Sequence, residues 1–399
     1  MIGKLASISS VCDVNPGLPA ALRGQGELLV TFVPMSAVKE SGLLEGVETR
    51  QLRDTLKGYT YFEQGDILVA KITPCMENGK VAQAVGLPQP VGFGSTEFHV
   101  LRPGPDVDGR YLFHMVWNPY FRSAAVGSMT GSAGQRRVPA SFFARFRIPL
   151  PPLPEQRRIA TVLDKADAIR RKRRETLDLA DQFLRSTFLD MFGDPVKNTM
   201  GWPVVRFGEL LDDISYGTSR KCLSVRTPGA VAVLRIPNVL GGRISWHDVK
   251  YCRLGPSESA KLQLEAGDLL FVRTNGNPDY IGRCAVFDDW KDAAYASYLI
   301  RARLLKGVPA VPVFLREQIS FPSFRSRLIR ETRTTAGNYN ISARGLERLR
   351  LVLPPMHAQQ RFLRATEGIC RLCEKLGAAL QEDGRLLDCV AQRSFRGEL

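Results

Sequence analysis

The residues that could do chemistry in this chain are few. Asp66 and Lys71 flank one apolar run, as a nuclease would place an acid beside a lysine, but the chain supplies no second acid there to share a metal ion. Asn277-Pro278-Asp279-Tyr280 and Asn118-Pro119-Tyr120 faintly resemble the strings with which adenine methyltransferases grip an extruded base. Such an enzyme also needs a glycine-rich loop for its methyl donor. The nearest string, Gly92-Phe93-Gly94, lacks the strand before it and the helix after it that would form a cradle. His99, His114, His247 and His357 are far apart and show neither ligand nor triad spacing. Cys370 and Cys373 form the one C-x-x-C pair, without the second pair or clustered histidines that zinc requires, inside a helical pattern where they read as core. No Walker loop is present. The expectation is a chain without catalytic residues, cofactor site or metal site of its own.

What remains is charge. Lys and Arg number 55 against 40 Asp and Glu, a net charge of +15, which points to a polyanionic partner, nucleic acid first. No apolar run reaches the length of a membrane span, the N-terminus lacks the apolar core of a signal peptide, and the eight cysteines show no disulfide rhythm. A cytoplasmic protein is expected.

The elements that must position a binding surface are repeated. Val30 and Pro34 fall on Val233 and Pro237 at a shift of 203, as do Phe121-Arg122-Ser123 on Phe324-Arg325-Ser326. At the same shift Ala133-Gly134 falls on Ala336-Gly337, Arg145 and Arg147 on Arg348 and Arg350, Leu150-Pro151-Pro152 on Leu353-Pro354-Pro355, and Gln156 and Arg158 on Gln359 and Arg361. One residue off this register, Gly65-Asp66-Ile67-Leu68 matches Gly267-Asp268-Leu269-Leu270, where Gly-Asp reads as a turn feeding a strand and the aspartates as structural. The chain is a tandem duplication. Each half opens with short β-type runs and carries helical pattern near 109–127 and 311–331, so each globular unit is expected to be α+β around a small, much-bent sheet.

Residues 155–192 and 358–396 then carry almost no Gly or Pro and read as helices of about 38 residues, roughly 55 Å long. Ile369, Cys373, Leu376, Leu380, Asp383, Leu387 and Val390 alternate in steps of four and three, a heptad seam with one polar interruption. Ile159, Leu163, Ala166, Ile169, Leu177, Ala180, Leu184 and Phe188 form a similar stripe. Two such helices are expected to pair with each other as an antiparallel coiled coil about a pseudo-twofold axis, the alternative being that each packs on its own domain or on a partner. The expected order is a globular domain over 1–152, a long helix over 153–194, a second globular domain over 195–355 and a second long helix over 356–399.

The helix entry PLPPLPEQRRIATVLDKADAI, the helix exit FLDMFGDPVKNTMGWP, the C-terminal RSFRGEL, the segment FVRTNGNPDYIGRC and the Ala-Gly-Asn-Tyr-Asn-Ile-Ser string at 336–342 resemble the specificity subunits of type I restriction–modification enzymes. That resemblance implies two target-recognition domains, each reading half of a bipartite, asymmetric DNA site. It implies that the helices set the spacer and dock two adenine methyltransferase subunits, and that a translocating nuclease subunit can join. S-adenosylmethionine and ATP then belong to those partners. A stand-alone modification or restriction enzyme and a coiled-coil scaffold for a protein or RNA partner are the competing classes.

The loops expected to read bases are those that differ between halves while lying between matched strings. In the first unit they hold Lys71, Thr73, Asn78 and Lys80, then Ser132, Gln135, Arg136 and Arg137. In the second they hold Arg273, Thr274, Asn275, Asn277 and Tyr280, then Thr335, Asn338, Tyr339 and Asn340. All are rich in donors and acceptors suited to base edges. The run Arg170-Arg171-Lys172-Arg173-Arg174 encircles the first helix, either as a solvated or partner-facing patch or as a contact to spacer phosphates.

Overall fold

The computed structural model describes residues 4–132, 134–288, 292–330, 333–335 and 338–396; for 333–335, 381, 383, 385–392 and 394–396 the description extends to the backbone alone. Ala133, Ala336 and Gly337 of the repeat, the last three residues of RSFRGEL, and the seam side chains of Asp383, Leu387 and Val390 lie outside it. The chain forms two compact units, Met1–Thr176 with Leu376–Leu399, and Leu177–Lys375. Each therefore takes a stretch of both long helices.

The first unit is built from short strands whose apolar residues face inward. Cys12–Val14, Phe98–Pro103, Ile67–Ala70 and Val81–Gln83 form one antiparallel sheet in that order. Glu48–Gln51, Leu29–Val33, Val91–Gly94 and Thr60–Glu63 form a second, mixed one. Lys4–Ser7 pairs with Arg147–Leu150 beside them. The expected single bent sheet is thus several small ones, because each run is too short to span a larger sheet. Gly92 lies in a strand and not in a cofactor loop: a Cβ there would sit 2.3 Å from the Phe62 ring. Helices Gly109–Trp117 and Pro119–Gly127 follow, started by the side chains of Asp108 and Asn118, which accept from backbone N–H groups of the first turn.

The second unit repeats this plan. Leu211–Tyr216, Leu299–Leu304, Leu269–Val272 and Cys284–Val286 form the counterpart of the first sheet, and Lys250–Cys252, Val231–Leu234 and Ala293–Tyr295 that of the second. Val204–Arg206 pairs with Arg350–Val352, and helices Pro312–Ser320 and Pro322–Arg330 complete the match.

The long helices run over Leu153–Phe192 and Met356–Arg396, beginning just after the proline-rich strings. In the first unit Ile159, Ala160 and Leu163 join the same core as Tyr111, Phe121 and Phe143. In the second, Phe188 and Phe192 pack on Phe314 and Phe362 with ring centroids 4.9–5.7 Å apart. Phe188 meets Phe362, and Asp181, seven positions earlier, lies near Cys373, eleven positions later, so that chain numbers fall along one helix as they rise along the other. The pair is antiparallel.

Two positions differ from the expected stripe. Ile169 is 49% exposed, whereas Asp167 is 2% exposed and holds the inward position. A straight helix drifts against a strict seven-residue repeat, and here the drift carries Ile169 outward. Asp167 is tolerated because Arg170 and Arg171, one turn on, both donate to its carboxylate. The cationic run is thereby divided. Arg170 also lies over the Trp117 ring, Arg173 reaches the Ala379 carbonyl, and Lys172 and Arg174 are exposed.

A single repeated glutamine fastens each helix to its unit. Gln156 is fully buried; its Oε1 accepts from Asp108 N (2.8 Å), and its Nε2 donates to the carbonyls of Asp106 and Pro151 (2.9 and 2.8 Å). Gln359 does the same 203 positions on, accepting from Val311 N (2.9 Å) and donating to Pro309 and Pro354 (both 2.8 Å).

Candidate nucleic-acid interface

In each unit the Gly-Asp turn starts the strand that ends at the first candidate loop. Gly65 and Gly267 have φ of +99° and +96°, a conformation L side chains rarely adopt. The buried Asp66 accepts from Glu63 N (2.8 Å) and from both Nε and Nη2 of Arg102 (2.9 and 2.8 Å). Asp268 accepts from Glu265 N and takes Arg303 in the same way, all at 2.8 Å. Both aspartates thus have the structural role expected of them. The fully buried strands that follow deliver Lys71 and Arg273 at their ends.

The two candidate stretches of each unit, some 60 residues apart in sequence, meet here. In the first unit Ile72 bridges to Arg137, Thr73 N donates to Arg136 O (3.0 Å), and Val138 N donates to Lys71 O (2.9 Å). In the second, Thr274 pairs with Asn340 and Asn275 with Tyr339, and Ile341 N donates to Arg273 O (2.9 Å). The same backbone junction stands in both units. The Phe-Arg-Ser repeat explains its footing: Phe121 and Phe324 are buried, while Arg122 lies against Gly79 and Arg325 donates to the carbonyls of Asp279 and Ile281.

Side chains on this common backbone have different surroundings. In the first unit Arg137 has all three nitrogens engaged: Nε and Nη2 with Glu97 (2.9 and 2.8 Å) and Nη1 with Gln135 O (3.1 Å). That hydrogen bonding holds the Glu97 carboxyl below its ordinary range, and Lys71 nearby adds to the effect. Arg136 is turned inward to the carbonyls of Met129 and Val126, Lys80 donates to Met35 O (3.1 Å), and Thr73 donates to Glu77 (2.9 Å). Asn78, Ser132 and Gln135 are exposed.

In the second unit Arg273 is half-buried, its guanidinium 4.7 Å from the Tyr216 ring centroid and its Nη1 3.3 Å from Ser297 O. Asn275 accepts from Asn277 N (2.8 Å) and Asn277 from Asp279 N (2.9 Å), so both shape the turn. Tyr280 lies under Arg283, Asn340 donates to Asn338 O (3.2 Å), Tyr339 packs on the core, and Asn338 is exposed. Thr335 closes the strand Arg333–Thr335, whose side chains are outside the described residues.

Sequence reasoning missed Glu97, Tyr298 and Tyr216. Lys71 N donates to Glu97 O and Arg273 N to Tyr298 O, each at 2.9 Å, so Glu97 and Tyr298 occupy equivalent places. Their shift is 201, the same as from Arg102 to Arg303, and that second change of register was the signal available. Elsewhere two of the histidines have structural partners: His99 bonds Val138 O (2.8 Å) and His114 bonds Asp164 (2.8 Å). No group of three or more His, Cys, Asp or Glu side chains that could hold a metal is found among the described residues.

Residues 40–179 match the family described as the type I restriction modification DNA specificity domain. The chain is 38% identical over 195 residues to the EcoAI specificity subunit of Escherichia coli, covering 47% of this chain and 32% of that one. To the EcoKI specificity subunit of Escherichia coli K12 it is 27% identical over 318 residues, covering 75% and 68%. The first match, and that to the EcoEI subunit, each span about a third of the relative's length. Among solved structures it shares its fold with the type I S subunit from M. genitalium, at TM-score 0.55, 13% identity, and coverage of 98% and 96%. The chain is thus similar to type I restriction–modification specificity subunits, through the specificity-domain match over residues 40–179 and the EcoKI match over 75% of its length. Among the described residues no helix is long and apolar enough to cross a membrane.

Proposed function

We propose that this chain is the non-catalytic reader of a bipartite, asymmetric DNA site, with one globular unit per half-site. The carrying observation is the junction just described: one backbone geometry, built twice, holding Lys71, Glu97 and Arg137 in one unit and Arg273, Tyr298 and Asn340 in the other. A protein that reads one symmetric site twice has no use for such divergence on so close a framework. Affinity then comes from lysines and arginines on phosphate, and specificity from the differing side chains on base edges. The paired helices serve as the spacer gauge and dock two adenine methyltransferase subunits, which a translocating nuclease subunit can join. S-adenosylmethionine and ATP are bound by those partners and not by this chain, which acts in the cytoplasm.

The test is to purify the chain alone and with its methyltransferase partner and to map methyladenine on random-sequence DNA. The expected result is no methyl transfer by the chain alone and methylation at two short motifs separated by a fixed unread spacer with the partner present. Transfer by the chain alone, or methylation at one continuous motif, overturns the reading.

A further inference from the structure

We propose that Arg273 reads a guanine in the half-site bound by the second unit, with Tyr216 as its positioning residue. This rests on the bipartite reading above and goes beyond it by naming one base and one side chain.

The second unit lacks the acid of the first. At the equivalent place in the first unit Glu97 takes the whole Nε–Nη2 edge of Arg137, and the Gln135 carbonyl takes Nη1, so that edge is not offered to a base. In the second unit Tyr298 stands where Glu97 would be, and Asn340 where Arg137 would be. Among the described residues the Arg273 side chain makes no ion pair, and its guanidinium makes one hydrogen bond, from Nη1 to Ser297 O. Nε and Nη2 are left as a parallel pair of donors.

Two contacts fix the direction of that pair. The Tyr216 ring lies 4.7 Å from the guanidinium carbon, and its hydroxyl accepts from Ala343 N at 3.0 Å, which anchors the ring at its far end. Stacking on one face and a carbonyl at one nitrogen hold the planar group without using its remaining edge. Arg273 is only half-buried, and Tyr216 beside it is 42% exposed, so the site borders solvent. A fixed, uncompensated guanidinium matches the paired O6 and N7 acceptors that guanine alone presents in the major groove. A phosphate contact needs no such orientation.

The experiment uses the chain with its methyltransferase partner and duplexes in which each guanine of the mapped site is replaced in turn by 7-deazaguanine, which lacks the N7 acceptor. One position in the second half-site is expected to weaken wild-type binding by roughly 5- to 100-fold. Arg273→Ala and Arg273→Lys should bind the unmodified site weakly by a similar factor and lose no more on the deaza duplex. Tyr216→Leu should give a partial loss at that position only, with the first half-site read normally by every variant. A second half-site without a sensitive guanine, or an Arg273→Ala variant weakened equally on all sequences, overturns the assignment while leaving the bipartite reading intact. Absence of any bipartite motif with wild-type protein overturns both. The deaza scan needs no variant to fold.

Discussion

The two loop junctions differ less in backbone than in electrostatics. In the first unit Lys71, Glu97 and Arg137 form a closed set in which the acid satisfies one cation and faces another. In the second, Arg273 faces the Tyr216 ring and a carbonyl and keeps donors unspent. Exchanging Lys71, Glu97 and Arg137 for Arg273, Tyr298 and Asn340 thus turns a self-satisfied cluster into an open one, while the backbone junction that carries them is kept. The duplication leaves the scaffold's energetics alone and puts the variation where donors meet solvent.

The scaffold's sameness can be broken first. Asp66→Asn and Asp268→Asn each leave a largely covered guanidinium, Arg102 or Arg303, without its carboxylate. Each should cost about 3 kcal/mol of stability in denaturant unfolding. Effects that differ strongly between the two would show that the halves do not share this footing. Gln156→Leu and Gln359→Leu each strand one N–H and two carbonyls, for an expected loss of about 2 kcal/mol. Because the clamp ties helix to unit, both variants should also tolerate spacers one base pair off in the methylation assay.

The acid of the closed set gives a smaller, pH-dependent effect. Glu97 titrates below its ordinary value because Arg137 hydrogen-bonds its charged form. Its contribution to stability is therefore present above the unfolded glutamate pKa of about 4.3 and is lost as pH falls through the lower folded value. Carboxyl NMR should place its midpoint below 4.3, and Arg137→Ala should move it back up. An unmoved midpoint would dissolve the contrast between the junctions. The smallest effect is on the helix: Lys172→Ala with Arg174→Ala should reduce the slope of log affinity against log salt by roughly 2. Arg170→Ala should do more harm to folding than to that slope, since Arg170 serves Asp167 and Trp117.

Much of this was legible in the chain. The matched strings located the turns, the paired aspartates and both helix starts, because glycine at positive φ and proline before a first turn leave local marks. Arg136 and Lys80, expected to read bases, donate to backbone carbonyls in the chain alone, and donor-rich sequence cannot say which way a long side chain folds back. Ile169 and Asp167 exchanged places for a similar reason: a seam read from sequence assumes a repeat that the real helix does not keep in phase.

By itself, the sequence determined that the molecule is built twice, that its helices are long and one-sided, and that its charge seeks a polyanion, since these depend on order, period and sum. Only the tertiary structure decided that residues as far apart in the chain as Ile72 and Arg137, or Thr274 and Asn340, form one junction, and that Glu97 pairs with one arginine while Tyr216 lies against another. Those outcomes depend on which side chains meet across strands, and neighbours in space leave no fixed interval in the chain.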